Sequence, residues 1–312
     1  MIPALPPKTA KPALLRRRWG RRVLVVLLAG IATLGWREFT WQRAVRQLGE
    51  VGFYEDRRGD SLGMRLWKTA RSDWRQLFKA GTWKGEPTVW RVDQPTAGQL
   101  RNFDAAVAAL RRVNPEIIHI EGCPSLQNLN GLRGLSALRK LYLDRCHALE
   151  NVDGLQGCVS LEHLWLFNCT VLRDVNGLRD HPALQELLLR ECPALENAEA
   201  IGGLTSLREC FLVECTALRD VGFLSGLARL HYLDLSGCSA LENVNGVAGL
   251  VSLRTLYLKE CAGLRDVGVL SGLPQLQRVG LKRSTRIPPE QVEVLKVALS
   301  KTRISFHLSD IE

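Results

Sequence analysis

The sequence lacks the short motifs that mark common catalytic and metal sites. It has no H-E-x-x-H, no G-x-S-x-G and no glycine-rich phosphate loop, and none of its nine cysteines belongs to a C-x-x-C pair. Its histidines are scattered rather than grouped: His119, His147, His163, His181, His231 and His307. We therefore expect exposed, separate histidines, no enzyme activity, no metal site and no cofactor.

Acidic residues are missing from residues 1–22, which carry seven bases. An uncharged apolar run of 14 residues, 23–36, follows directly, with Trp19 and Trp36 at its two ends. This order predicts a transmembrane signal-anchor over residues 23–41, with residues 1–22 as a basic cytoplasmic tail and everything after the helix outside the cytoplasm. The run is short for a full span, so a cleaved signal peptide and a buried helix of a soluble protein stay open as alternatives.

The main body of the chain, residues 113–312, has no excess of basic residues. Residues 113–312 carry 20 bases against 23 acids, whereas residues 37–112 carry 15 bases against 9 acids. A body that binds nucleic acid would place phosphate-neutralising lysine and arginine on its own surface. We expect no nucleic-acid partner.

A 23-residue repeat dominates the rest of the sequence. Each later repeat contains L-x-x-L-x-L-x-x-C, as in Leu138, Leu141, Leu143 and Cys146. The alternating leucines predict a short strand with one buried face, and equal repeats must stack these strands in parallel about 4.8 Å apart. The cysteine position recurs without a slip, and a serine takes the next place in the series: Cys123, Cys146, Cys169, Cys192, Cys215, Cys238, Cys261 and Ser284.

This pattern resembles the leucine-rich-repeat family, and LDLSGCSALENV is similar to repeats of plant disease-resistance receptors and of bacterial leucine-rich-repeat proteins. The resemblance covers roughly residues 88–308. It implies an α/β-type solenoid: a curved parallel sheet of about ten short strands, a mostly irregular convex side and helical caps. It also implies that the cysteine side chain points inward and satisfies backbone groups at the turn after the strand. For function it implies only a recognition surface.

Both ends of the repeats, 118–286, need covers against water. An N-terminal cap, 88–117, is predicted from a strand at 88–92 and a helix at 96–112, and a C-terminal cap, 287–312, from a helix at 288–301 and a strand at 303–307. Between anchor and cap, 42–87 is predicted as a juxtamembrane helical linker. Its segment 61–78 has helical apolar spacing, and we expect it to dock on the solenoid or to lie on the membrane surface.

Two side-chain columns have a structural interpretation. All nine cysteines are expected to be core thiols, since parallel side chains on stacked strands are poorly placed for disulfides. A second column is expected to form an exposed ladder of opposite charges worth about 0–1 kcal/mol per pair. Its members alternate in sign: Glu150, Arg173, Glu196, Arg219, Glu242 and Arg265.

The strand residues that alternate with buried leucines face the concave side of the sheet. They include aromatics, which we expect to be exposed and to anchor a partner, with carboxylates around them and bases at Arg278, Lys282 and Arg283. The predicted partner is a protein or peptide with an apolar anchor and nearby cations; glycan or cell-wall binding by the same face, or a role as a cytosolic interaction scaffold, are alternatives. The predicted partner-binding residues are Tyr142, Trp165, Phe167, Glu186, Leu188, Glu209, Phe211, Val213 and Tyr257.

Overall fold

The protein was analysed as a computed structural model, which describes residues 53–55, 89–93 and 114–305. Its strands form one sheet in which sequence order and spatial order coincide. Strands β2 to β11 are parallel, whereas β1 pairs with β2 in the antiparallel direction. The strands are β1 Phe53–Glu55, β2 Val89–Asp93, β3 Ile117–Glu121, β4 Lys140–Asp144, β5 His163–Phe167, β6 Glu186–Arg190, β7 Glu209–Val213, β8 Tyr232–Asp234, β9 Thr255–Tyr257, β10 Arg278–Gly280 and β11 Arg303–Ser305.

The register of the sheet follows the 23-residue period. Leu143 pairs with Leu166, and Leu166 pairs with Leu189, in adjoining parallel strands. The ten parallel strands confirm the expected sheet, and the predicted alignment of residue 90 with Ile118 is also confirmed. Strand β1 was not expected, because its three residues carry no repeat signal.

Each coil returns along the convex side through a short 3-10 turn. Four of these turns have three residues and three have five: Asn130–Leu132, Asp153–Leu155, Asn176–Leu178, Glu199–Gly203, Gly222–Gly226, Asn245–Val247 and Gly268–Gly272. In three of the short turns the glycine, Gly154, Gly177 or Gly246, lies against the backbone of the preceding coil, and a Cβ on Gly246 would be 1.9 Å from the carbonyl oxygen of Val221. Close stacking of these turns therefore depends on glycine.

The interior confirms that the cysteines are core thiols. All nine are buried and free of disulfides. In the repeat column each thiol lies against a backbone carbonyl, for example 3.0 Å between Sγ of Cys238 and the oxygen of Leu212. Ser284 continues the column with its Oγ 2.5 Å from the oxygen of Leu258, and it accepts the amide of Cys261 at 3.2 Å. The column thus links neighbouring coils as well as filling the core.

The charge ladder on the convex side is not formed. Its six members are exposed, and none makes an ion pair within 4.0 Å in the part of the chain that the structure describes. The neighbouring Asn/Asp column carries the local structure instead, because its side-chain oxygen accepts the backbone amide two residues on. Asp220, for instance, accepts the amide of Gly222 at 2.9 Å.

The C-terminal cap is present as helix α1, Pro289–Ala298, with Pro289 in the first turn. It buries Val292 and Leu295, and Gln291 Oε1 accepts the amide of Val267 at 2.9 Å, which attaches the helix to the last 3-10 turn. The helix is shorter than predicted, and β11 ends at Ser305.

Several predictions fall outside the described residues. They are the cytoplasmic tail 1–22, the anchor 23–41, the helix at 61–78, the cap helix at 96–112 and His307. Within 53–55, 89–93 and 114–305, no helix has the length and apolar character needed to cross a bilayer.

Candidate functional site

The concave side of the sheet carries a second apolar cluster, separate from the core. Tyr142, Trp165, Leu188 and Phe211 form its centre, one from each of β4 to β7. Because the register places equivalent residues on neighbouring strands opposite each other, each side chain meets the next. The ring centroids of Tyr142 and Trp165 are 4.0 Å apart. The four predicted residues on β4 to β7 therefore form one continuous cluster.

This cluster corrects the expectation that the aromatic stripe is exposed. Tyr142 is 6% exposed, Trp165 4% and Phe211 5%. The sequence indicates which face a residue lies on, but not how closely neighbouring rings cover each other at a strand spacing of about 4.8 Å. Phe167 and Val213, at the C-terminal ends of β5 and β7, are half-buried and border the cluster. They form its accessible rim.

Glu186 is tied to this cluster through both of its carboxylate oxygens. Oε1 accepts a hydrogen bond from Nε1 of Trp165 at 2.7 Å, and Oε2 lies 2.9 Å from Nδ1 of His163. Glu186 is itself buried, at 8% exposure. Its two partners fix the orientation of the indole, so this carboxylate acts as a structural part of the face.

Glu209 is the register partner of Glu186 on the next strand, but its surroundings differ. The nearest basic side chain among the described residues is that of His231, with 3.6 Å between its Nε2 and Oε1 of Glu209. Burial, followed by the charge of Glu186, raises the pKa of Glu209 to about 7. Burial lowers the pKa of His231, which disfavours the charged form of this histidine beside Glu209. Glu209 therefore titrates close to neutral pH.

Tyr232 joins the predicted cluster to Tyr257, and sequence reasoning missed it. Its ring is 4.8 Å from that of Phe211 and 5.8 Å from that of Tyr257. Lys259 Nζ lies 4.5 Å from the centre of the Tyr257 ring. Tyr232 occupies the same strand position as Glu209, and that position also faces the concave side. Searching the strand position of Glu209 for aromatic residues, as was done for the position of Phe211, would have identified Tyr232.

The charged borders of the face are partly paired. Arg190 lies 3.2 Å from Glu191 and 3.8 Å from Glu214, so both flanking carboxylates have a cation nearby. At the other end Arg283 pairs with Glu260 at 2.9 Å. Of the three bases predicted for the last repeats, Arg278 and Arg283 are exposed and Lys282 is buried.

The expectation that the histidines are exposed is wrong for four of those described, since His163 and His231 are half-buried and two others are buried. His119 and His181 are each 2% exposed. His181 fills an apolar position of the convex side, where its Nε2 lies 3.0 Å from the carbonyl oxygen of Leu155. Across the described residues, no group of three or more histidine, cysteine, aspartate or glutamate side chains is placed to hold a metal ion.

Solved structures similar to this chain include three with repeat folds. Internalin inlF from Listeria monocytogenes is 18% identical with a TM-score of 0.39, covering 72% of this chain and 82% of that one. The leucine-rich repeat domain of the type III effector XopL is 23% identical with a TM-score of 0.42, covering 58% and 71%. The mouse RP105/MD-1 complex is 18% identical with a TM-score of 0.42, and the match covers 61% of this chain and 37% of that one.

No protein-family model matches the chain, and no curated protein matches it in sequence. The leucine-rich-repeat fold follows from the chain's own geometry. Each 23-residue coil contributes one parallel strand, one inward cysteine or serine and one convex turn.

Proposed function

We propose that this leucine-rich-repeat solenoid is a non-catalytic recognition protein that binds a protein or peptide on its concave face. The binding surface runs from Tyr142 on β4 to Tyr257 on β9. One observation carries the proposal: a second apolar cluster lies on the side of the sheet opposite the core. The leucines on the other face already close the interior, so the fold does not need aromatic residues there.

The rim of the cluster offers the sharpest test, since the buried rings also support the sheet. Phe167 and Val213 are half-buried, so replacing them changes the surface more than the packing. A Phe167→Ala/Val213→Ala variant is expected to bind the partner at least about tenfold more weakly. Val159 and Val251 are each 54% exposed and lie outside the strands, so Val159→Ala/Val251→Ala is the matched control.

The measurement is quantitative mass spectrometry of proteins captured by the wild type and the two variants. Partners kept by the control and lost by the rim variant support the concave face. Equal recovery by all three chains, with equal thermal stability, removes it.

The proposal extends to a membrane location. The seven bases of residues 1–22 and the apolar run that follows support a single-pass anchor over 23–41, with the repeats outside the cytoplasm. The chain is then expected to stay in the membrane pellet after carbonate extraction, with its repeats digested only by protease added outside the cell membrane. Recovery in the soluble fraction would contradict the anchor.

A further inference from the structure

The two adjacent carboxylates of the concave face differ in how their charge is balanced. Glu186 uses both oxygens for Trp165 and His163. Glu209 accepts no hydrogen bond from any side chain or amide in the described part of the chain, and His231 is the only basic side chain there within 4.0 Å of its carboxylate. A half-buried carboxylate in this position is poorly solvated and poorly compensated. It favours a cation brought by another molecule.

The surroundings of Glu209 specify what that cation should be. Phe211 lies two residues along the same strand, and Tyr232 is the register partner of Glu209 on β8. Their ring centroids are 4.8 Å apart, and both residues lie next to Glu209 in the sheet. Ring faces attract an ammonium or guanidinium group, and a carboxylate beside them completes the contact. The side chain of arginine or lysine meets both requirements.

We propose that the concave face recognises an arginine or lysine of a peptide partner at Glu209, next to an apolar anchor on the aromatic cluster, and that a proton competes with this cation. The proposal rests on the peptide-binding function above and adds the partner's chemistry and its pH dependence.

The groups that face Glu209 support proton competition. On β6 the neighbour is Glu186, whose negative charge disfavours a second one. On the other side are Tyr232 on β8 and His231 just before it, and behind Glu186 lie His163 and Lys140 on the next two strands. With the pKa of Glu209 at about 7, protonation replaces the missing cation in the free protein. A bound cation must displace that proton.

The expected effect on affinity follows from the ionised fraction of Glu209. For a pKa of about 7, roughly nine tenths of the carboxyl groups are ionised at pH 8 and roughly one tenth at pH 6. Since only the ionised form accepts the cation, the dissociation constant at pH 6 is expected to be about tenfold higher than at pH 8. Near pH 7 each bound peptide should release about half a proton.

The experiment uses the full chain and a phage-displayed library of random peptides of about 12 residues. Selection at pH 8 is run on the wild type, on Glu209→Gln and on Glu242→Gln, which removes the same charge at an exposed position outside the face. The wild type and the Glu242→Gln variant should enrich arginine or lysine beside an aromatic residue, whereas the Glu209→Gln variant should not.

Calorimetry with the most enriched peptide then measures the dissociation constant and proton release across pH 6–8. Two results would overturn the cation at Glu209 and leave the proposed function standing. One is that the selected peptides carry no base but still bind more weakly to the Phe167→Ala/Val213→Ala variant. The other is that the affinity of the wild type does not depend on pH. Failure to select any peptide sensitive to the rim variant would remove both.

The chain contains a second possible source of cations, residues 57–84, with eight bases and two acids. If this segment occupied the face, Glu209 would stay ionised at pH 6 without added peptide. The ¹³C shift of its carboxyl group would then be the same at pH 6 and pH 8, and a separate partner would be ruled out. A shift that titrates near pH 7 supports an open site.

Discussion

At the scale of single residues, two neighbouring carboxylates of the concave face differ in their hydrogen-bonding partners. Glu186 and Glu209 are the same residue type at equivalent positions, yet only Glu186 has two hydrogen-bonding partners. The difference comes from the next strands, since β5 offers a histidine and a tryptophan beside Glu186 and β8 offers a tyrosine beside Glu209. Sequence reasoning identified both glutamates as concave but could not assign them different roles. That distinction depends on side-chain geometry.

Glu209 also gives a stability prediction that needs no partner. Its pKa is about 7 in the folded chain and near 4.5 in the unfolded chain, so folding becomes less favourable as the pH rises through this interval. Glu209→Gln removes that penalty. Its free energy of unfolding at pH 8 should exceed that of the wild type by about 1–3 kcal/mol, and the difference should shrink to nothing near pH 4.

Urea denaturation at several pH values measures this difference. A stability gain that is independent of pH would mean that Glu209 has an ordinary pKa, and Glu242→Gln, at an exposed position, should show no gain at any pH.

At the scale of the repeat element, strand and turn follow different rules. The strands and their register could be predicted from the sequence, because a period without slips leaves one possible alignment of Leu143, Leu166 and Leu189. The convex turns could not be predicted in the same detail. Gly246 touches the backbone of the preceding coil, whereas Gly272 has no atom within 4 Å of where a Cβ would be. The two glycines occupy different positions of the 23-residue period, and the close approach at Gly246 becomes visible only when the coils are stacked.

This contrast makes a paired prediction. A Cβ at Gly246 would be 1.9 Å from the oxygen and 2.4 Å from the carbonyl carbon of Val221, so Gly246→Ala must push two coils apart. We expect a loss of more than about 2 kcal/mol in the free energy of unfolding. Gly272→Ala meets no atom and should be neutral or stabilising by about 0.4–1 kcal/mol. Thermal unfolding of both variants checks this, and equal effects would contradict the proposed packing of the turns.

At the scale of the whole molecule, the sheet separates two apolar layers with different roles. The leucine and cysteine layer is continuous from Ile118 to the C-terminal helix and holds the coils together. The concave layer has its centre on β4 to β7, from Tyr142 to Phe211, and Tyr232 extends it to Tyr257 on β9. A stack of similar coils gains stability mainly from contacts between neighbours. A cluster restricted to a few coils on the other face adds little to this stacking, which supports the proposed role in recognition.

The residues of the concave layer were predicted from the sequence, but the burial of their side chains was not. Alternation within each strand identified Tyr142, Trp165, Leu188 and Phe211, while their burial depends on contacts between rings from different coils. The accessible part of the face is consequently its rim and the carboxylate of Glu209.

The most direct test of concave recognition is a methyl NMR titration of the full chain with the most strongly enriched peptide. Leu188 and Val213 report on the concave face, and Val159 and Val251 report on positions outside its strands. The account predicts that peptide binding shifts the methyl signals of Leu188 and Val213 and leaves those of Val159 and Val251 unchanged. Shifts at Val159 and Val251 with none at Leu188 and Val213 would contradict it.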